Sequence, residues 1–244
     1  SSGLRISSDI SISSFRFSRD ITTTTTSGKP VRNISQTFPD LGLTWNRLEK
    51  FKLLKRFAAS ASYSFGYSKR INTTEDGITH QPTKKDITTN FAPLFSLNMT
   101  LKNGIQTNWK WDRQRTESQN LSLQGGASSK SVTTSETYGV NTAYSFSAPK
   151  GLKLPFLKKI KFQSSLNLSL AINIRHNQTK SSVLGKGFVV SGDTKEFSLT
   201  PRASYSFSSQ VSGGVSGRWL DTKNNKTGEK RHTRELSLWV EIRF

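Results

Sequence analysis

The side chains best suited to acid–base chemistry are three histidines, His80, His176 and His232, with Asp76, Asp86, Asp193 and Asp221 as the nearby carboxylates. An imidazole steadied by a carboxylate is what a general base requires, and both groups must be fixed within hydrogen-bond reach. Each histidine instead falls in a polar segment or at a strand end. No His–Asp or Asp–Asp pair has a sequence spacing that would fix such a geometry, so the histidines read as solvated. Gly125-Gly126 and Gly213-Gly214 lack the Lys-Ser/Thr that completes a phosphate-binding loop; they read as a loop and as a strand that bends or packs closely. The chain has no Cys, which removes disulfides and thiolate metal sites. No catalytic, cofactor-binding or metal-binding residue is expected, and the chain is not expected to be an enzyme.

The elements that carry these residues are clearer than any chemistry. Side chains alternate between two characters with the period of a strand. Leu166, Leu168, Leu170 and Ile172 alternate with Asn167, Ser169, Asn173 and Arg175, and Leu238, Val240 and Ile242 alternate with Glu241 and Arg243. Tyr138 to Ser147 and Ala59 to Ser68 repeat the pattern. About ten strands follow, near 4–22, 32–46, 58–72, 88–101, 105–115, 132–147, 161–176, 195–207, 211–221 and 232–244. The expected fold class is all-β, an antiparallel transmembrane β-barrel, with residues 1–244 as one segment.

Composition supports a membrane over the alternatives. Only 32% of residues are hydrophobic, yet 15 Phe, 5 Trp and 5 Tyr are present at regular positions, which disordered chains lack. No stretch approaches the roughly 18 apolar residues of a transmembrane helix, but barrel strands alternate and average out on a hydropathy scale. A net charge of +20 raises nucleic acid as a partner. No nucleic-acid recognition motif accompanies it, and basic residues beside anionic head groups are the preferred reading. A soluble β-sandwich would also alternate.

Connectors alternate between short and long, as in barrels with short periplasmic turns and long extracellular loops. Asn103-Gly104 is a tight-turn signal of the primed type. Segments 46–58 and 148–161 are basic and amphipathic, with Phe51, Leu54, Phe57 and Phe156, Leu157, Ile160 expected at the periplasmic membrane interface. Long polar loops are expected near 22–31, 73–87, 114–131, 177–194 and 221–232. Under this orientation Tyr67, Trp109, Trp111 and Trp219 fall toward the outer rim, while Phe146, Phe207 and Phe244 fall toward the periplasmic rim. These are the two aromatic girdles that bilayer interfaces select. Leu166, Leu168, Leu170, Ile172, Leu238, Val240 and Ile242 would then face lipid. Asn167, Ser169, Asn173, Arg175, Glu241 and Arg243 would face the lumen.

The run Phe38-Pro39-Asp40-Leu41, Thr44-Trp45-Asn46 and Leu48 to Phe57 resembles the C-terminal region of the SprA/Sov family. So do Leu154 to Phe162, leading into an alternating strand, and the stretch from Phe197-Ser198-Leu199-Thr200-Pro201 to Phe244. The resemblance spans nearly the whole chain without a catalytic signature. It implies the outer-membrane translocon of the type IX secretion system, a gliding-motility component in which a very large barrel passes folded proteins to the cell surface. It also implies secreted cargo, a plug and a shuttle-type barrel subunit as partners, alongside the barrel-assembly machinery, outer-membrane lipid and lipopolysaccharide. The chain would be the C-terminal arc of such a barrel in the bacterial outer membrane. An independent ten-stranded barrel stays open, acting as a pore, an adhesin or an omptin-like protease.

Overall fold

The computed structural model describes residues 4–5, 9–26, 29–121, 127–154, 157–183, 186–207 and 210–243. Strand alternation dictates the architecture: one antiparallel sheet of eleven strands in which every strand neighbours the next in sequence. The strands are β1 (Leu4–Arg5), β2 (Ile10–Thr26), β3 (Lys29–Trp45), β4 (Ala58–Asp76), β5 (Pro82–Leu101), β6 (Gln106–Leu121), β7 (Ala127–Leu154), β8 (Leu157–Val183), β9 (Val189–Ser206), β10 (Val211–Asn224) and β11 (Lys230–Ile242). The fold is all-β. The sheet is not closed: among the described residues β1 pairs only with β2, and β11 only with β10.

All ten expected strands form, with two corrections. The segment 4–22 divides into the short β1 and the long β2, which pair through Leu4↔Ile12. The expected long loops are mostly strand. The connection expected over 73–87 shrinks to residues 77–81, and that over 221–232 to 225–229. Pairing continues past the apolar residues through rungs such as Thr25↔Pro30, Thr74↔Lys84 and Val132↔Lys180. The reason lies in composition: these segments are rich in Thr and Ser, and Thr is a strong β-former whatever its polarity. Cross-strand hydroxyl pairs support them, as between Thr133 Oγ1 and Thr179 Oγ1 at 3.1 Å.

Two turns at this upper end share one design. Asp76 Oδ1 accepts from the backbone N–H groups of Ile78 (3.0 Å) and Thr79 (2.8 Å), and His80 closes the turn at φ 55°. Asn224 Oδ1 accepts likewise from Lys226 (3.0 Å) and Thr227 (3.2 Å), and Gly228 closes at φ 77°. At the lower end, Gly104 stands at φ 88° while Asn103 does not have positive φ. Gly104 N–H donates to Leu101 O and Leu101 N–H to Ile105 O. This three-residue connection replaces the primed two-residue turn expected there.

The strands are progressively staggered. A single rung joins Trp45 in β3 to Tyr63, Leu97, Trp109, Val140, Ile172, Leu199 and Trp219 in β4 to β10. Trp45 is the last residue of its strand, whereas Trp219 lies in the middle of β10. A sheet with such a shear has strands inclined to its long axis, as barrel walls require. Register breaks at Arg16/Ser18, Thr37/Asp40, Ser64/Ser68 and Phe91/Phe95 fall in four successive ladders from β2 to β6. Breaks of this kind bend a strand and increase local twist, so they form a crease. Gly66 sits in it, where an added Cβ would come 2.9 Å from the carbonyl oxygen of Ala92.

Candidate functional site

The functional surface is the pair of faces that this register creates. Leu166, Leu168, Leu170 and Ile172 face Phe146, Tyr144, Thr142 and Val140 on one side and Tyr205, Ala203, Pro201 and Leu199 on the other. Leu238, Val240 and Ile242 face Val215, Gly213 and Val211. One sheet face is therefore apolar from β3 to β11. It lacks a covering layer: Leu238 is 80% exposed and Val240 70% exposed. A soluble sandwich would bury this face against a second sheet. Large exposed apolar surfaces mark a partner or a membrane.

The opposite face carries the residues expected to be polar. Asn167 pairs with Ser145 and Ser204, Ser169 with Ala143 and Arg202, Asn173 with Gly139 and Ser198, and Arg175 with Thr137 and Glu196. Glu241 stands opposite Ser212 and accepts from Arg243 Nε at 3.0 Å. Farther along, Asn108 Nδ2 donates to Asn98 Oδ1 at 2.6 Å. Trp239 is the large exception on this face, with the Arg202 guanidinium 5.5 Å from its ring centre.

Aromatic residues gather at the two margins of the apolar face. Trp111 stacks on Tyr138 with centroids 5.3 Å apart, and Tyr67 meets Phe91 at 4.8 Å. Tyr144–Phe146 and Tyr205–Phe207 pair at 5.6 and 5.1 Å at the other margin. Trp109 and Trp219 share the rung described above, and Trp219 folds over Gly217, where an added Cβ would lie 2.5 Å from the indole. Phe244 lies outside the described residues.

The connector 46–57 folds onto the lower margin of the apolar face. A 3-10 turn at Leu48–Lys50 leads into the short helix α1 (Lys52–Lys55). Leu48 is 9% exposed and forms a small core with Ala58 and Ala61, against which Trp45, Leu54, Tyr63, Leu97 and Met99 pack. Glu49 Oε2 accepts the Ala61 N–H at 2.9 Å. Asp9 receives Lys50 at 3.1 Å and Arg47 at 3.3 Å. The hydrogen bond from Lys50, then the two cationic charges, hold the Asp9 carboxyl below its ordinary range against partial desolvation. Leu53 and Phe57 turn outward, Leu53 with 85% exposure, and Phe51, half exposed, meets the Trp45 ring edge-on at 5.4 Å. The segment thus grips the sheet with one set of apolar groups and presents another.

The second basic segment behaves differently. Residues 148–161 are not a compact connector: β7 and β8 continue as a hairpin through Leu152↔Ile160 and Leu154↔Leu157. Phe156 lies outside the described residues, and of Leu157 and Ile160 only the backbone is described. A basic sequence with period 2 extends a hairpin as readily as it caps one.

The structure also brings together pairs that sequence spacing does not reveal. His176 Nε2 lies 2.9 Å from Asp193 Oδ1, and His232 Nδ1 lies 2.6 Å from Asp221 Oδ1. The β8–β9 and β10–β11 registers create these contacts, and only a correct strand pairing would have found them. Asp193 also receives Gln178 at 3.2 Å and Asn225 at 2.9 Å. Asp221 also receives Arg234 at 2.6 Å. Each imidazole is thus one contact in a network of rim polar groups, without an adjoining nucleophile in the contacts seen. His80 serves a turn. No group of three or more metal-ligating side chains occurs among the described residues.

No protein-family model matches the chain, and no curated protein matches it in sequence.

Proposed function

We propose that this chain is an arc of the wall of a bacterial outer-membrane β-barrel whose lumen conducts folded proteins, as in the type IX secretion translocon that its sequence resembles. The observation that carries the barrel reading is the uncovered apolar face, bounded by aromatic margins and opposed by a polar face on the same sheared sheet. Such a face suits hydrocarbon, and its margins suit the two head-group layers. The connector at 46–57 supports the orientation, since Phe51, Leu53 and Phe57 project from the apolar side at one margin beside Lys52 and Lys55.

The open edges support an arc over an independent ten-stranded barrel. Spanning structures must satisfy every backbone group internally, so a sheet in a bilayer must close. Strands from elsewhere in a larger barrel would complete it. The protein-conducting role rests on the sequence resemblance together with the polar face. Asn, Ser, Thr and Gly there offer hydrogen bonds to water and little apolar surface for cargo to stick to.

Expression of the chain in an outer-membrane-bearing bacterium, alone and joined to the rest of its parent barrel, tests both levels. The joined form should insert and show heat-modifiable migration on gels, whereas the lone arc should not conduct. A lone chain that is monodisperse without detergent would sink the barrel reading. A lone chain that inserts as a closed pore would sink the arc reading.

A further inference from the structure

Above its aromatic margin, the apolar face changes character abruptly on β8 to β11. His176 stands opposite Lys195, Lys195 opposite Lys223, and Lys223 opposite Lys230. Three lysines therefore face one another in sequence across three adjacent strands, on the same side as Leu199, Trp219 and Leu236. Like charges placed directly opposite one another in a sheet are destabilising. The neighbouring carboxylates do not relieve them, because Asp193 is taken by His176, Gln178 and Asn225, and Asp221 by His232 and Arg234. Lys195, Lys223 and Lys230 enter no ion pair among the described residues, and all three are exposed. A fixed anion beside such a row would relieve its repulsion.

The surface below the row says which anion. On the same strands an apolar groove of about 510 Å³ runs between Leu168, Leu170, Ala203, Val215 and Leu236, with Trp219 at one end. Pro201 and Ala203 are small or flat between Leu168, Leu170 and Val215, and the Trp219 indole lies over Gly217 beside them. A dissolved anion has no use for such a groove, but an amphiphile does. Toward β6 to β8 the basic surface continues around a second groove of about 550 Å³, lined by Arg113, Arg115, Lys130 and Lys180. There Arg113 is held by Glu136 at 3.2 Å, and Arg115 and Lys130 share Glu117 at 2.7 and 3.0 Å. Lys180 has no ion pair among the described residues.

We infer that the Lys195–Lys223–Lys230 row and the apolar groove beneath it form one binding site for a phosphorylated membrane lipid, with phosphate on the lysines and an acyl chain in the groove. The inference rests on the membrane-facing assignment of the apolar face. Phosphate oxygens would place negative charge between like-charged side chains, and the charge would act near the interface where screening by water is partial. The occupant is a lipid of the leaflet that meets this margin, anionic at its head and packed against the strands by its chain.

The test uses the full chain folded in detergent micelles, or within its parent barrel. The probes are a bis-phosphorylated glycolipid of the lipid A type, the same glycolipid with its phosphates removed, and inorganic phosphate. Retention of each lipid is read by native mass spectrometry. The phosphorylated glycolipid should bind about a hundredfold more tightly than the dephosphorylated one, as expected for about three lysines near a charged surface. The variant K195Q/K223Q/K230Q should lose that ratio. The variant R175Q/R218Q/R231Q, with an equal charge loss on the opposite face of β8, β10 and β11, should keep it. Equal binding of the two glycolipids, an unchanged ratio in the lysine variant, or displacement by inorganic phosphate at comparable concentration would overturn the inference. A chain that needs detergent yet fails to discriminate defeats this site alone; a chain soluble without detergent defeats the membrane assignment and the site together.

Discussion

The indole of Trp239 in β11 lies against Gly214 in β10, so closely that a Cβ added at Gly214 would meet the ring at 2.9 Å. The two residues face each other across the ladder. An aromatic laid over a cross-strand glycine covers backbone that would otherwise be bare. Here it anchors the outermost strand to the rest of the sheet, with Arg202 against the indole ring.

Substitution Gly214→Val should therefore loosen β10 from both neighbours, β9 through the Ala203 carbonyl and β11 through Trp239, by about 1–3 kcal/mol through overpacking. Urea titration of the folded fraction, read by gel migration, measures it. The double variant with Trp239→Ala should recover only the share of the loss that the indole causes, because an added Cβ also meets the carbonyl oxygen of Ala203 in β9. Additive losses in the double variant would show that the two residues do not act on each other.

Facing is tested by charge. Leu168→Arg should block stable insertion, at a cost of about 2–4 kcal/mol for a site near the bilayer midplane. Val240→Arg should act in the same direction. Asn167→Arg, one residue away on the polar face between Ser145 and Ser204, should be tolerated. Folding yield into lipid vesicles compares the three, and equal yields would reverse the assignment of faces.

The lower connector should sit in the membrane interface. Because the chain has no Cys, Leu53→Cys gives a single site for a nitroxide label. Its collision rate should favour oxygen over a water-soluble nickel complex, while a label at Thr79→Cys in the upper turn should favour the nickel complex. Identical water accessibility at the two sites would detach the connector from the bilayer.

Acid should loosen the β4–β5 turn. The backbone N–H of Thr79, that of Ile78 and the Thr79 hydroxyl all donate to the Asp76 carboxylate and hold its pKa below the ordinary value. A carboxyl lowered in the folded state stabilises fully above its unfolded pKa, and that contribution disappears as pH falls through the folded value. Amide exchange at Ile78 and Thr79, corrected for its intrinsic pH dependence, should thus stay protected at neutral pH and lose protection below about pH 4. In Asp76→Ala the pH-dependent change in protection should vanish.

Much of this architecture could be read from the chain because the two faces differ at nearly every residue. Leu166 to Ile174 and Leu236 to Ile242 announce strand and face at once, and a one-residue slip would invert them. The Thr-rich hairpin extensions read as loops because their polarity masks their β propensity, as at Thr22 to Thr26. The His176–Asp193 and His232–Asp221 contacts were hidden for another reason. They depend on hairpin register, which the turn geometry sets and the spacing of the residues does not. The lysine row is hidden in the sequence on the same ground, since Lys195, Lys223 and Lys230 become neighbours only once β9, β10 and β11 are aligned.

The crease across β2 to β6 has a mechanical meaning. Where successive ladders skip a rung, fewer backbone hydrogen bonds resist bending, whereas the ladders joining β8 to β9 and β10 to β11 keep their register through the apolar band. Bending stiffness is therefore uneven across the sheet. On the conducting wall proposed above, a bulky passenger pressing outward would flex the panel around Gly66 first, and the strands that carry the lysine row would hold their shape.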